Sequence, residues 1–348
     1  MNSQIQKFSP EFDYLINVLA SLNPISIILY GSYGRGEGAI YSNNKTDKLF
    51  NDIDVLIIVR KKIDILRINN IKDKLLKKID VEWIDITQKT QFELKKSNAS
   101  VFNYDLKCHS TVLYGDLNIL NLMPTIKRQE IEYNEIKILF FSRIWCFLGA
   151  YKSGGIVDLE GYEAAYFNNQ MAKIIFAIID VILISNNKYV SSYHKKVKIF
   201  KEFFLADYPF LNKYILFALE NKLSPSNNKI SASDIQSTLN DLASEFFKVF
   251  SSGLSLAYNK EINGPDQIVK AFKYDYRLLI KKWGFKLFVP SRKDEFNELI
   301  CRTYLVGSII NKDFFSEAVK YYKFILKGEG KENPSFEDIR INIVKLIF

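Results

Sequence analysis

At 348 residues, 48% hydrophobic and 14% aromatic, the chain has material for two or three packed domains, and its composition argues against disorder. Three cysteines far apart (Cys108, Cys146 and Cys301) and only two histidines (His109 and His194) argue against a structural zinc and against a cysteine–histidine nucleophile, which leaves carboxylates as holders of any metal, and hence magnesium or manganese. The net charge of +9 concentrates at the C-terminal end, where residues 259–348 carry 17 basic against 12 acidic side chains.

The first residues lack the pattern of a signal peptide. Arg143 interrupts ILFFSRIWCFLGAY and Asp180 interrupts AKIIFAIIDVILI, so neither run reaches the roughly 20 apolar residues of a membrane span. A cytoplasmic protein with no membrane partner is expected.

In chain order, Phe12, Leu15, Ile16 and Leu19 repeat as one face of a helix over 10–22, which Pro24 stops. ISIILY (25–30) reads as a buried strand that runs into the glycine-rich turn GSYGRGEG and a polar loop around Asn43, Asn44 and Lys45. DIDVLIIV (52–59) is a second strand, 62–79 a helix, DVEWIDIT (80–87) a third strand, and VLYGD (112–116) a short fourth strand or a turn. Beyond Pro124 the periodicity becomes helical, at about 126–152, 160–186, 194–221 and 233–257. NGPD (263–266) separates a last helical section, within which GEGKENPS (328–335) is an exposed loop. The layout predicts an α+β protein: a small mixed-sheet domain over 1–120, a helical bundle over 121–258 and a C-terminal helical section over 259–348.

The chemistry concentrates in the sheet-bearing part. Residues i and i+2 of a strand share a face, so Asp52 and Asp54 present two carboxylates side by side. Such a pair repels itself unless a cation sits between its members, and a third carboxylate, Glu82 or Asp85, would complete a two-metal cage. Gly31 lets the backbone approach a phosphate closely. Ser32 adds a hydroxyl and the amides of a helix start, and Arg35 adds a cation one turn later. An isolated Asp-x-Asp is common in strands, and the glycine spacing is that of neither a phosphate loop nor a dinucleotide fold. The order of the parts is the specific signal: apolar strand, Gly-Ser, Asp-x-Asp opening an apolar strand, then an acidic strand.

ILYGSYGRGEG, NDIDVLIIV and VEWIDI resemble the core motifs of the DNA polymerase beta-type nucleotidyltransferase superfamily over about residues 24–116. The resemblance implies transfer of a nucleoside monophosphate from a nucleoside triphosphate, with ATP expected, to a hydroxyl. It implies two divalent ions (Mg2+, with Mn2+ as the alternative) held by Asp52, Asp54 and a third acid. Minimal members carry a V-D-L-V-D-L-like strand whose first acid is the ligand, which aligns with Glu82; Asp85 faces the other side of the strand. Asp is usual at that place, so Glu82 is a departure. The 20 positions from Ser32 to Asp52 are another, since compact members are shorter there; the added loop, AIYSNNKTDKLF, is expected to extend over the mouth of the site.

In the helical region Tyr166, Asn169, Gln170, Lys173 and Asp180 recur near helical spacing on an otherwise apolar segment. Lys173 is expected to bind the triphosphate, as in kanamycin-type enzymes, whose helical domain closes over the nucleotide; the alternative is one solvated helix face. KYVSSYHKK (188–196) offers Tyr189 and Tyr193 to the same site, or to packing. Lys270, Lys273, Arg277 and Lys281 form a basic stripe interleaved with Phe272, Tyr274, Tyr276 and Trp283, which suits a nucleic-acid backbone or an ordinary solvated face. Three functions compete: an enzyme acting on a small-molecule acceptor, a toxin-type or RNA-modifying enzyme acting on transfer RNA or protein, and a non-catalytic nucleotide-binding protein. The small acceptor is slightly favoured. The oligomeric state is not legible.

Overall fold

A computed structural model describes residues 3–43, 46–151, 154–283, 290–325 and 333–345. The architecture is α+β, a small mixed sheet near the start of the chain with helices dominating the rest.

The chain begins with α1 (Ser3–Lys7) and α2 (Ser9–Ala20), then β1 (Ser26–Tyr30) and the single turn α3 (Gly31–Gly34). A hairpin, β2 (Ile40–Ser42) and β3 (Asp47–Leu49), occupies part of the expected polar loop. There follow β4 (Asp52–Val59), α4 (Ile65–Leu76), β5 (Trp83–Thr90), α5 (Gln91–Lys95), α6 (Val101–Cys108) and β6 (Thr111–Gly115). Next come α7 (Glu135–Leu148), α8 (Gly161–Ser185), α9 (Tyr193–Phe203), α10 (Leu211–Leu223), α11 (Ala232–Tyr258), α12 (Gly264–Trp283), α13 (Pro290–Ile310), α14 (Asp313–Ile325) and α15 (Phe336–Lys345).

Contacts divide the chain into two compact units, the first formed by 1–132 with 187–225 and the second by 133–186 with 226–348. This differs from the boundaries read along the sequence: α9 and α10 return to the sheet-bearing unit, and 226–258 groups with the C-terminal section. The single helix expected over 194–221 is two, α9 and α10, with Pro209 in the break; proline lacks the amide that a continuing helix would need there.

In the first unit the sheet order is β5-β4-β1-β6, with β1 antiparallel to both neighbours and β4–β5 parallel. Parallel strands need a crossover, and α4 supplies it, its first turn capped by the Asp64 carboxylate accepting the Leu66 amide. Both sheet faces are buried at the centre. Ile53, Val55, Ile57 and Val59 of β4 join Phe12, Leu15 and Leu19 of α2 and Ile68 and Leu75 of α4. On the opposite face Leu56, Ile58 and Ile28 meet Leu94 of α5 and Leu106 of α6. Each fully buried Ile or Leu contributes about 1.5–3 kcal/mol. Two-sided burial explains why β4 reads as an unbroken apolar run, and why its charges are confined to its first residues.

In the second unit α8 packs against α7 and α11, and the rings of Phe140, Phe147, Phe246 and Phe250 interlock, Phe246 and Phe250 with centroids 4.2 Å apart. By length and composition α8 could cross a membrane, contrary to the sequence reading, and 94% of its apolar window is buried. Tyr166, Asn169, Gln170 and Asp180 are buried too, so the polar stripe of this helix is not a solvated face.

Candidate active site

The carboxylates are placed by strand alternation. Ile53 and Val55 point into the α2/α4 core, so Asp52 and Asp54 lie on the other face of β4, the face of Leu56 and Ile58. In the parallel pairing with β5, Asp54 stands opposite Asp85 and Asp52 opposite Trp83, so Asp85 shares the face of the aspartate pair. Glu82 falls one place before β5, in the alternation that takes Ile84 into the core. The register therefore brings Asp85, not the motif-aligned Glu82, to Asp52 and Asp54.

Tyr30 stands opposite Asp54 across β1, with its hydroxyl 3.3 Å from Thr87 Oγ1 of β5. Burial, then the charge of Asp54, with lesser contributions from Asp85 and Asp52, pushes the Tyr30 hydroxyl above the usual phenol range. One group thus feels all three acids. The Asp85 carboxyl is itself raised, first by burial and then by the charge of Asp52, against the opposing effects of Lys72 and the Ile86 amide.

Gly31 joins β1 to α3 with φ +65°, and a Cβ there would lie 2.1 Å from Asp54 Oδ2. The Asp54 carboxylate therefore rests on the bare Cα, and only glycine satisfies both the dihedral and the contact. Ser32, half-buried, follows as the second residue of the turn. Tyr33 fastens the segment that continues to β4: its hydroxyl donates to the Ala39 carbonyl at 2.6 Å and accepts the Phe50 amide at 2.8 Å.

Arg35, expected as a nucleotide-binding cation, ends the turn among protein partners. Its guanidinium is buried against Glu37 (3.3 Å), Asp105 (3.6 Å) and the Tyr193 ring (5.0 Å). Burial would lower its pKa, but Tyr193, Asp105, Tyr189 and Glu37 together more than reverse that. Glu37 also receives the Ser192 hydroxyl at 2.6 Å and the Tyr193 amide at 3.0 Å. Burial alone would raise this carboxyl; those hydrogen bonds and Arg35 hold it below the usual carboxylate range. The Tyr189 hydroxyl donates to Asp105 at 3.1 Å. Arg35 thus positions the start of α9, whose N-cap is Ser192.

That placement assembles a group the motif reading missed. Lys196 of α9 and Lys222 of α10 are 3% and 4% exposed, each with Nζ 5.6 Å from the centroid of Tyr193. Together with Arg35, three cations surround one ring. KYVSSYHKK presents Tyr189 and Tyr193 in one local run, whereas Lys222 lies 29 positions after Tyr193 and no local pattern points to it.

Among the described residues, no three His, Cys, Asp or Glu side chains stand close enough to hold a metal ion by themselves. Magnesium in triphosphate sites is ordinarily held by one or two carboxylates together with substrate oxygens and water. The adjacent hard oxygen donors of Asp52 and Asp54 fit that mode, with Asp85 on the neighbouring strand.

Lys173 sits half-buried on α8 in the second unit, whereas the carboxylate face is built wholly from the first. In the basic stripe, Lys270 is exposed and Lys273 stands over the Tyr321 ring at 5.0 Å; the side chains of Arg277 and Lys281 lie outside the described residues, as do Asn44 and Lys45 of the added loop and residues 328–332 of the expected C-terminal loop.

No family model and no curated protein sequence matches the chain. Among solved structures it is similar to a spectinomycin adenyltransferase from Enterococcus faecialis, crystallised with ATP and spectinomycin; the two are 14% identical, over 68% of this chain and 97% of that chain, with a TM-score of 0.40. A likeness of that size fixes neither fold nor activity.

Proposed function

We propose that the chain is a metal-dependent nucleotidyltransferase that moves a nucleoside monophosphate from a nucleoside triphosphate, ATP foremost, onto the hydroxyl of a small-molecule acceptor. The observation that carries this reading is the pairing of two charged groups across α3. Three carboxylates share a sheet face at its Gly31 end, and at its Arg35 end the ion-paired cluster of Arg35, Glu37 and Asp105 adjoins Tyr193, with Lys196 and Lys222 beside that ring.

Asp52 and Asp54 would hold the divalent ion, Mg2+ or Mn2+, which when bound neutralises phosphate charge and lowers the pKa of a coordinated hydroxyl. The bare Cα of Gly31 and the hydroxyl of Ser32 give the phosphates a close approach, and Lys196 and Lys222 balance the negative charge of the leaving pyrophosphate. The acceptor oxygen forms a bond to the α-phosphorus as the bond to the pyrophosphate oxygen breaks. Asp85, whose raised pKa suits a base, takes the acceptor proton. Arg35 and Glu37 act as positioning residues through α9.

The test is incubation of the protein and Mg2+ with each α-phosphate-labelled nucleoside triphosphate and a small-molecule extract. Label on a low-mass product, lost with a chelator, is the expected result. Label on transfer RNA or protein would reverse the acceptor assignment, and nucleotide binding with no transfer to any fraction would make the protein a binding module.

A further inference from the structure

The second unit contains a cavity of about 570 Å3 that the transfer chemistry does not use. Its floor is apolar: Phe147 of α7, Tyr151 just after that helix and Leu239 of α11, each under 5% exposed, with Phe336 of α15 at the side. The volume falls within the range of small-molecule sites, which pair an apolar interior with a few polar groups at fixed places.

The polar groups are not evenly charged. Glu337 lines the cavity, but both its oxygens are engaged, one by the Tyr151 hydroxyl at 2.9 Å and the other by Arg340 Nε at 2.6 Å. Arg340 is 2% exposed and also donates to the carbonyls of Leu148 and Tyr151. This carboxylate is neutralised from inside the fold. Lys312, at the exposed start of α14, lines the same cavity and has no ion-pair partner among the described residues. On α11, Gln236 donates to the Asn240 side-chain carbonyl at 2.9 Å, which leaves the Asn240 amide hydrogens for another acceptor at the exposed rim.

An apolar floor, a lysine with no ion-pair partner among the described residues and a spare amide donor at the rim define the complement. We propose that this cavity is a binding site for a small amphipathic organic anion, an aryl or medium-chain carboxylate or sulfonate, with its apolar body against Phe147, Tyr151 and Leu239 and its acid group at Lys312 and Asn240. The proposal is independent of the transfer reading, because every residue in it belongs to the second unit and its test needs no nucleotide.

The full chain is titrated with anilinonaphthalene sulfonate, followed by its fluorescence, and with octanoate and octyltrimethylammonium as competitors. Saturable 1:1 binding displaced by octanoate and not by the cation is expected. Lys312→Glu should weaken it by about two- to fivefold, the scale of one exposed charge contact, and Gln236→Trp should block the rim and abolish it. Both positions are exposed or at the rim, and melting curves equal to the parent's exclude misfolding as the cause. Absence of saturable binding, equal affinity in both variants, or equal displacement by the cation would overturn the proposal.

Discussion

At the Gly31 end of α3, acids share one sheet face, and burial first, with their charges adding to it, raises the Tyr30 and Asp85 groups. At the Arg35 end, charges of opposite sign are buried together, and Glu37 moves the other way, held below the usual carboxylate range. The two neighbourhoods are anchored at opposite ends of α3 and differ in what they give the molecule. Opposite charges with hydrogen bonds on each side hold segments together. Like charges oppose folding, and they persist where a cation or a proton is to be received.

Replacing both members of the acidic pair, Asp52→Asn with Asp54→Asn, should reduce transfer on the order of 10^3-fold, the scale of lost electrostatic stabilisation at a phosphoryl group. The melting temperature should stay within a few degrees of the parent's. Full activity in the double variant would end the catalytic reading of that face.

At the other end the outcome should invert. Arg35→Met leaves Glu37 and Asp105 without their buried cation, and about 3 kcal/mol of stability should be lost, as when one partner of a buried ion pair is removed. Denaturant unfolding measures this; an unchanged midpoint would mean that Arg35 does not fasten α9.

The third carboxylate refines the contrast. Asp85→Asn should lower transfer on the order of 10^2-fold, the scale of a lost general base, while Glu82→Gln should leave it nearly unchanged. The reverse ranking would restore the motif alignment and break the argument from β4–β5 register.

The smallest effect is in pH. Glu37 has a depressed pKa, so its stabilising contribution is complete above its ordinary value of 4.5 and is lost as the pH falls below that, through the depressed value. Asp85 is raised above its ordinary 3.8, so the folded protein holds a proton there that the unfolded chain releases, and stability from this group grows as the pH falls through the raised value. Glu37→Gln should flatten the acid limb of a melting-temperature profile, and Asp85→Asn should steepen it. Identical profiles in the two variants would remove the distinction.

The central strands were legible in the sequence because two-sided burial writes long apolar runs: β4 at 52–59 was read at its observed bounds. The Asp52/Asp54 pairing was equally legible, since alternation is local. The third acid was not, because the resemblance aligns Glu82 with the ligand position while the parallel register sets Asp85 opposite Asp54, and a hydrogen-bond register between strands is not written in either strand alone. The β2–β3 hairpin was read as loop, its strands being three residues each. Arg35 was legible as a cation near Gly-Ser, but its partners Tyr193 and Asp105 are 158 and 70 positions away. No local pattern carries that information.

The first unit is interrupted in sequence: residues 133–186 separate its sheet from α9 and α10. During synthesis the strands emerge first, while Ser192 and Tyr193, which serve Glu37, and Lys222, which joins the ring cluster, remain unmade or inside the ribosome. The nascent sheet must therefore wait with Arg35, Glu37 and Asp105 lacking those distant partners, a non-local closure of the kind that slows folding. A fragment ending at residue 132 would be arrested at that same stage. For this fold, completion of the charged scaffold is a late event in the life of the nascent chain, and the timing is set by connectivity alone.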